Sequence, residues 1–162
     1  MDETRQRLAG IELDEQSIVR WHDDVAHERS VAICDLLESN SFVLTAYPEA
    51  GPYFLHLSLR DNRLVFLLRD LGGHELGEVL LPLSPFRNVV REYFAVCDAY
   101  YRAVRGAQAQ QIEAIDMGRR GLHNEAASLL KERLNGQIKL DDETARRLFT
   151  LLCVLHLKER GL

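Results

Sequence analysis

The chain has 162 residues, enough to bury the hydrophobic core of one domain without help from metal ions or disulfide bonds. Its 46% hydrophobic and 28% charged residues are an ordinary balance for a globular protein. The net charge is −5, and residues 101–162 carry 11 Lys and Arg against 8 Asp and Glu, a basic excess too small for a typical nucleic-acid footprint.

The first forty residues are predicted to contain one helix. Residues 1–10 are polar and are predicted to be mobile, 11–13 are a candidate short strand, and 14–22 are predicted to form a loop. Apolar residues recur at helical spacing across 23–40, after two aspartates that are suitable N-caps. This segment is therefore predicted to be an N-terminal helix.

After residue 41 the pattern changes to short apolar segments, some with alternating polarity. Four such segments are typical of strands: 42–47, 53–60, 63–69 and 75–81. A proline follows the first segment, and polar turns rich in Asp, Asn and Gly separate the other three. Because short turns join antiparallel neighbours, residues 42–82 are predicted to form an antiparallel meander of three to four strands.

The C-terminal part, residues 84–158, is predicted to be helical. Its three helices cover approximately 84–105, 107–135 and 142–158. The first begins with Ser84 and Pro85, residue types that N-caps and first helical positions prefer. The second half of the last helix is apolar nearly all round, so we expect this helix to lie in the core or in a dimer interface.

This order of elements predicts an α+β fold. It consists of an N-terminal helix, an antiparallel meander, and three C-terminal helices packed on one face of the sheet. No internal repeat or low-complexity segment divides the chain, so we expect residues 1–162 to form a single domain.

The three cysteines lie far apart, each within an apolar run: Cys34, Cys97 and Cys153. Their odd number and spacing argue against a secreted disulfide scaffold and predict buried thiols in a reducing cytosol. The N-terminal segment lacks the apolar region of a signal peptide, and no apolar run reaches the ~18–20 residues of a membrane span. We therefore expect a cytoplasmic protein that makes no contact with a membrane.

The densest group of polar functional residues lies within 113–134. Four of them lie three or four positions apart and form a polar stripe on one helix: Asp116, Arg119, Arg120 and His123. Asn124 and Glu125 continue this stripe. An arginine pair beside a histidine can bind a phosphate or a carboxylate, with the histidine as acid or base. The alternative is a set of structural ion pairs, for which Asp116 and Arg120 have the i,i+4 spacing.

Two glycines, Gly118 and Gly121, interrupt the same helical run. In a helix interior each costs about 1 kcal/mol relative to alanine. Their presence predicts either a close approach by a neighbouring helix or a break between two helices near 118–121.

Motifs of catalytic, metal or cofactor sites are not found. His22 and His27 are five positions apart, which does not place both on one helical face, and the chain has no Cys-x-x-Cys. The Gly-Gly pair at 72–73 lacks the phosphate-loop patterns and is predicted to be a hairpin turn. The sequence thus predicts no metal, no cofactor and no catalytic residue, and it favours a protein that is not an enzyme.

Several segments resemble an uncharacterised protein family (UPF) found in alphaproteobacteria. They are HERSVAICDLLESNSFVL, GPYFLHLSL, DMGRRGLHNEAASLL and ARRLFTLLCVLH, and the match runs over nearly the whole chain. The Arg-Arg-x-x-His-Asn-Glu run at 119–125 is similar to a hallmark segment of that family, although Ala126 stands where other members have glycine. The resemblance implies a small cytoplasmic bacterial protein. It implies no reaction and lends no catalytic residues.

Three functions are compatible with these patterns. The first is a non-enzymatic adaptor or regulator that binds another protein or forms a homodimer through its apolar last helix. The second is a site for a small anionic ligand, or an enzymatic site, built on Arg119, Arg120 and His123. The third is binding of RNA or an acidic partner by the mildly basic C-terminal helices. Nucleic-acid binding by a helix-turn-helix is disfavoured, because the last helix begins with three acidic residues that phosphates would repel.

Overall fold

The computed structural model describes residues 5–14, 23–106 and 108–159. In chain order its elements are β1 (Leu8–Leu13), α1 (Asp23–Glu38), β2 (Phe42–Leu44), β3 (Tyr53–Arg60), β4 (Arg63–Arg69), β5 (Glu75–Pro82), α2 (Arg87–Gly106), α3 (Ala109–Leu134), β6 (Ile138–Leu140) and α4 (Asp142–Glu159). The predicted α+β class is confirmed. The predicted loop over 14–22 falls almost wholly outside the described residues.

The main sheet has four strands in the order β1-β3-β4-β5. Strands β3, β4 and β5 form the predicted antiparallel meander. Strand β1 pairs with β3 in parallel, so the four-stranded sheet as a whole is mixed. A parallel pair needs a long crossover connection, and α1, which lies between β1 and β3 in the chain, supplies it.

Strand β2 does not belong to the meander. It spans three residues, where six had been predicted, and it pairs antiparallel with β6 in a separate two-stranded sheet. The prediction of one sheet over 42–82 is wrong in this respect. Both strands bury two side chains each: Phe42 and Leu44 of β2, and Ile138 and Leu140 of β6. Burial of these side chains in the hydrophobic core therefore favours the pairing of β2 with a strand that lies almost a hundred residues further along the chain.

The first strand begins at Leu8, inside the segment that was predicted to be mobile. Leu8 is fully buried, and the side chain of Asn40 forms hydrogen bonds with both its backbone N–H and its carbonyl. Asn40 Oδ1 accepts from the Leu8 N–H at 2.6 Å, and Nδ2 donates to the carbonyls of Leu8 at 3.1 Å and of Leu36 at 2.7 Å. One amide thus ties the start of β1 to the end of α1.

Helix α4 lies at the centre of the core. It packs against α1, α3 and β3, while α2 packs along α3. Between residues 144 and 155 only Arg146 and Arg147 are not buried. The apolar side of this helix, which had suggested the core or a dimer interface, is therefore covered by the chain itself.

Helix α3 runs without a break for 26 residues, so the predicted break near 118–121 is wrong. A close helix approach is also absent, since a Cβ atom added at Gly118 or Gly121 would meet nothing within 4 Å. A second correction concerns the start of α2. Ser84 is not its N-cap, because Ser84–Phe86 forms a 3-10 turn and α2 begins at Arg87.

Replacing Asn40 with alanine tests the hydrogen bonds between its side chain and the backbone of Leu8. We expect the Asn40→Ala variant to lose about 1–3 kcal/mol of unfolding free energy, because it leaves buried backbone groups without partners. Urea unfolding measures this loss. Asn88→Ala is the matched control, since Asn88 is exposed on α2. Equal unfolding free energies for the two variants would show that the Asn40 amide does not hold β1.

Alanine at the two helical glycines tests the continuity of α3. We expect Gly118→Ala and Gly121→Ala each to raise the unfolding free energy by about 0.5–1 kcal/mol, because alanine restricts the unfolded chain and meets no neighbour in the helix. Gly136→Ala should do the opposite, because Gly136 has a φ of +88°. Destabilisation by either helical substitution would contradict a continuous, open stretch of α3.

Candidate functional site

Asp116 is the centre of the predicted polar stripe on α3. Arg119 Nη2 lies 2.9 Å from its Oδ1, and Arg120 Nη2 lies 3.0 Å from its Oδ2. The Arg119 guanidinium also lies 4.4 Å from the ring centroid of Tyr100 on α2, within cation–π range. The predicted i,i+4 pair of Asp116 and Arg120 is confirmed, and Arg119 links α3 to α2.

The imidazole of His123, one helical turn beyond Arg119 on α3, lies between α2 and α4. Its centroid is 4.8 Å from the ring of Tyr93 on α2 and 6.2 Å from that of Phe149 on α4. Its Nε2 is 3.4 Å from the hydroxyl oxygen of Thr150 on α4. Arg119 and His123, one turn apart on α3, thus both contact an aromatic ring of α2, and His123 contacts α4 as well.

A cleft of about 240 Å³ opens beside His123, between α1, α3 and α4. We call it the His123 cleft. Eight residues line it: Val31, Ala32, Asp35, His123, Glu143, Arg146, Arg147 and Thr150. Arg119 and Arg120 are not among them. The arginines that share a cavity with His123 therefore come from α4.

Four of the lining residues occupy one face of α4: Glu143, Arg146, Arg147 and Thr150. Their spacing of i, i+3, i+4 and i+7 places them on successive helical turns. The spacing rule that identified the stripe on α3 applies equally to this group. Sequence reasoning missed it because the apolar second half of α4 defined that helix as a core element.

The Glu143 carboxylate lies against both arginines of the cleft. One oxygen pairs with Nη2 of Arg146, and the other lies 3.2 Å from Nη2 of Arg147. Arg146 Nη1 donates to Oδ1 of Asn124 at 2.9 Å, and Arg147 Nη1 donates to the carbonyl of Ser39 at 2.9 Å. Each guanidinium is therefore held on one side by a fixed oxygen acceptor and on the other by Glu143.

The stripe residues contribute unequally to this arrangement. His123 lines the cleft, and Asn124 orients one of its arginines. Glu125 is exposed on α3. Arg120 is also largely exposed, with 76% of its side chain accessible, so it lies at the surface outside the cleft.

The cysteines differ in exposure. The prediction of buried thiols is confirmed for Cys97 and Cys153 and is wrong for Cys34, which is exposed on α1. Burial raises the pKa of the Cys153 thiol well above its ordinary value, and the nearby Cys97 raises it further. Cys153 is therefore held as an unreactive thiol inside the core.

The predicted hairpin turn joins β4 to β5. Asp70 Oδ1 accepts from the backbone N–H groups of Gly72 and His74, both at 2.9 Å. The bond from the His74 backbone is the largest cause that holds the pKa of Asp70 below its ordinary value. These two N–H groups are therefore already engaged within the turn.

Two further observations concern the part of the chain that the structure describes. It contains no group of three or more His, Cys, Asp or Glu side chains placed to hold a metal ion. None of its helices combines the length and the hydropathy of a transmembrane span. His22, which was considered as a metal ligand, and the side chain of His156 lie outside what is described.

The chain matches the model of an uncharacterised protein family, UPF0262, over residues 5–158. One relative, from Rhizobium meliloti, is 55% identical over 150 residues, which cover 93% of this chain and 94% of the relative. Another, from Xanthobacter autotrophicus, is 53% identical over 152 residues, covering 94% and 93%. A third, from Sphingopyxis alaskensis, is 52% identical over 160 residues, covering 97% of each. No solved structure gives a significant match.

These relatives come from alphaproteobacteria, and all three are named as UPF0262 proteins. The alignment spans all the described elements from β1 to α4, apart from the last residue of α4. The resemblance expected from the quoted segments is confirmed, and the chain belongs to the uncharacterised protein family UPF0262.

Proposed function

We propose that this protein is a cytoplasmic, non-enzymatic regulatory protein whose His123 cleft binds a small anion. The observation that carries the proposal is the pair of arginines, Arg146 and Arg147, held in place within a concave site that also contains His123. Guanidinium groups present fixed forks of N–H donors that match carboxylate and phosphate oxygens. We therefore propose an anion site at the junction of α1, α3 and α4, where the sequence had suggested one on α3 alone.

The dimensions of the cleft favour a compact ligand. Its volume of about 240 Å³ is below the range of roughly 300–1,000 Å³ that is typical of sites for drug-sized molecules. The lining offers two kinds of surface. Val31 and Ala32 supply apolar contact, whereas His123 and Thr150 supply polar groups that can donate or accept a hydrogen bond.

Binding is favoured over catalysis by the position of the one hydroxyl group in the cleft. Thr150 lies 3.4 Å from the imidazole of His123, the arrangement of a nucleophile and its base. However, Thr150 is only 6% exposed, and its hydroxyl also lies 3.4 Å from the carbonyl of Arg146. A nucleophile must reach its substrate, so this buried hydroxyl is better suited to hold a side chain or a ligand in place.

The cytoplasmic location is part of the proposal. The three cysteines are free, and Cys34 is exposed. An exposed free thiol persists most readily in a reducing compartment, where glutathione and thioredoxin systems prevent its oxidation.

A titration with inorganic phosphate and acetate, followed by NMR chemical shifts, tests the anion site. We expect shifts at His123 and its neighbours, and we expect Arg146→Gln to weaken binding by at least about tenfold, because it removes a charge-assisted hydrogen bond. Arg120→Gln is the matched control, since it removes the same charge outside the cleft. Equal effects of the two substitutions, or no shifts at the cleft, would refute the proposal.

A second candidate function is protein binding as a homodimer. The described apolar residues of α4, up to Leu155, are buried within the chain, so we expect the dimer contact on another surface. The hairpin of α2 and α3 carries two large exposed apolar side chains, Val104 with 54% and Met117 with 65% exposure. Both side chains lie on the surface of this hairpin, and we propose a second copy of the chain as the partner that covers them.

Light scattering at increasing protein concentration tests the homodimer. We expect a dimer for the unmodified protein and a monomer for Met117→Glu, because the substitution places a charge in the apolar contact. Leu71→Glu is the control, since Leu71 is similarly exposed, at 64%, in the turn between β4 and β5. A monomer at every concentration of the unmodified protein would exclude this candidate.

The third function, binding of RNA or an acidic partner, has less support. Five basic residues of α3 and α4 already pair with carboxylates: Arg119, Arg120, Lys131, Arg146 and Arg147. Because a carboxylate lies beside each of these side chains, a phosphate or an acidic partner would have to compete with it.

A further inference from the structure

We infer that Glu143 is an internal competitor for the ligand of the His123 cleft, and that this ligand is a short carboxylic acid. The inference rests on the proposed anion site. It adds the chemical class of the ligand and the way in which the chain itself controls access to the arginines.

The class of ligand follows from the geometry around Glu143. Its two carboxylate oxygens divide between the two guanidinium groups, one on Arg146 and one on Arg147. The arginines therefore already hold a carboxylate that bridges them, and a ligand carboxylate in the same place would meet the same donors. A short hydrocarbon part would then lie against Val31 and Ala32, which line the same cleft.

The three side chains differ in how firmly they are held. Arg146 and Arg147 are only 28% and 25% exposed, and each is anchored by a further acceptor, the amide of Asn124 or the carbonyl of Ser39. Glu143 is 58% exposed, and within the described part of the chain its carboxylate forms ion pairs with these two arginines only. When a ligand competes for the guanidinium groups, Glu143 is therefore the group that moves into solvent.

The charge balance of the cleft supports an exchange. Two arginines face two carboxylates, Asp35 and Glu143, among the lining residues. A ligand carboxylate that replaces Glu143 leaves the number of charges between the arginines unchanged, so the exchange does not accumulate like charges in a partly buried site. The apparent affinity then depends on the difference in free energy between binding of the ligand carboxylate and binding of the Glu143 carboxylate to the two arginines. Glu143 therefore lowers the apparent affinity for the ligand.

The Glu143→Gln substitution tests the competition, with acetate and butyrate as probes and NMR titration as the measurement. Removing the internal carboxylate should raise the affinity for both probes by about tenfold, since the ligand no longer has to displace two ion pairs. Glu132→Gln is the matched control, because Glu132 is exposed on α3 and does not line the cleft. This control should change the affinity by less than about twofold, because an exposed charge outside the cleft is screened by solvent and salt.

Glu143→Ala should raise the affinity as well, and urea unfolding of each variant checks that the fold is retained. If both Glu143 variants bind the probes as weakly as the unmodified protein or more weakly, Glu143 is not a competitor. The anion site is still supported in that case, provided that binding by the unmodified protein depends on Arg146. No perturbation of the cleft in any variant would refute both. Tighter binding of inorganic phosphate than of acetate or butyrate by Glu143→Gln would overturn the assignment to carboxylic acids.

Discussion

The burial of α4 within the chain is the constraint on which the other elements depend. This helix touches α1, α3 and β3, and its apolar residues from 145 to 155 are all buried. Neighbouring elements must therefore surround it on nearly every side. Only one face of its first half remains for polar groups, and that face carries Glu143, Arg146 and Arg147. The position of the cleft is thus a consequence of how the core is closed.

The local parts of the fold could be predicted from the sequence. Alternating polarity and short polar turns identified β3, β4 and β5, because strands joined by tight turns pair with their neighbours in the chain. The pairing of β2 with β6 could not be predicted in this way. Each has three residues, too few to show a period, and the pairing is determined by core side chains from distant parts of the chain. The start of β1 at Leu8 is held in part by the side-chain amide of Asn40, a contact that no periodicity reveals.

The candidate site could be predicted in part. Helical spacing identified the ion pair of Asp116 with Arg120 and the presence of His123 in a polar stripe. It could not show which neighbouring helix each side chain meets, because that depends on how the helices are rotated and packed. The same limit explains the glycines of α3, which suggested a close crossing although they face open space. Spacing identifies a face of a helix, whereas packing decides what that face contacts.

In two clusters among the described residues, two arginines share one carboxylate, and the contrast between these clusters shows what distinguishes a candidate binding site. In the first, the Asp116 side chain is only 22% exposed, and Arg119 is further held by the ring of Tyr100. Arg119 thereby links α3 to α2, so this cluster contributes to the packing of the two helices. In the second, the carboxylate of Glu143 is 58% exposed and borders a cleft shared with His123. The two clusters have the same charged groups but different proposed roles. The Asp116 carboxylate is confined by packing, whereas the Glu143 carboxylate can be exchanged for that of a ligand.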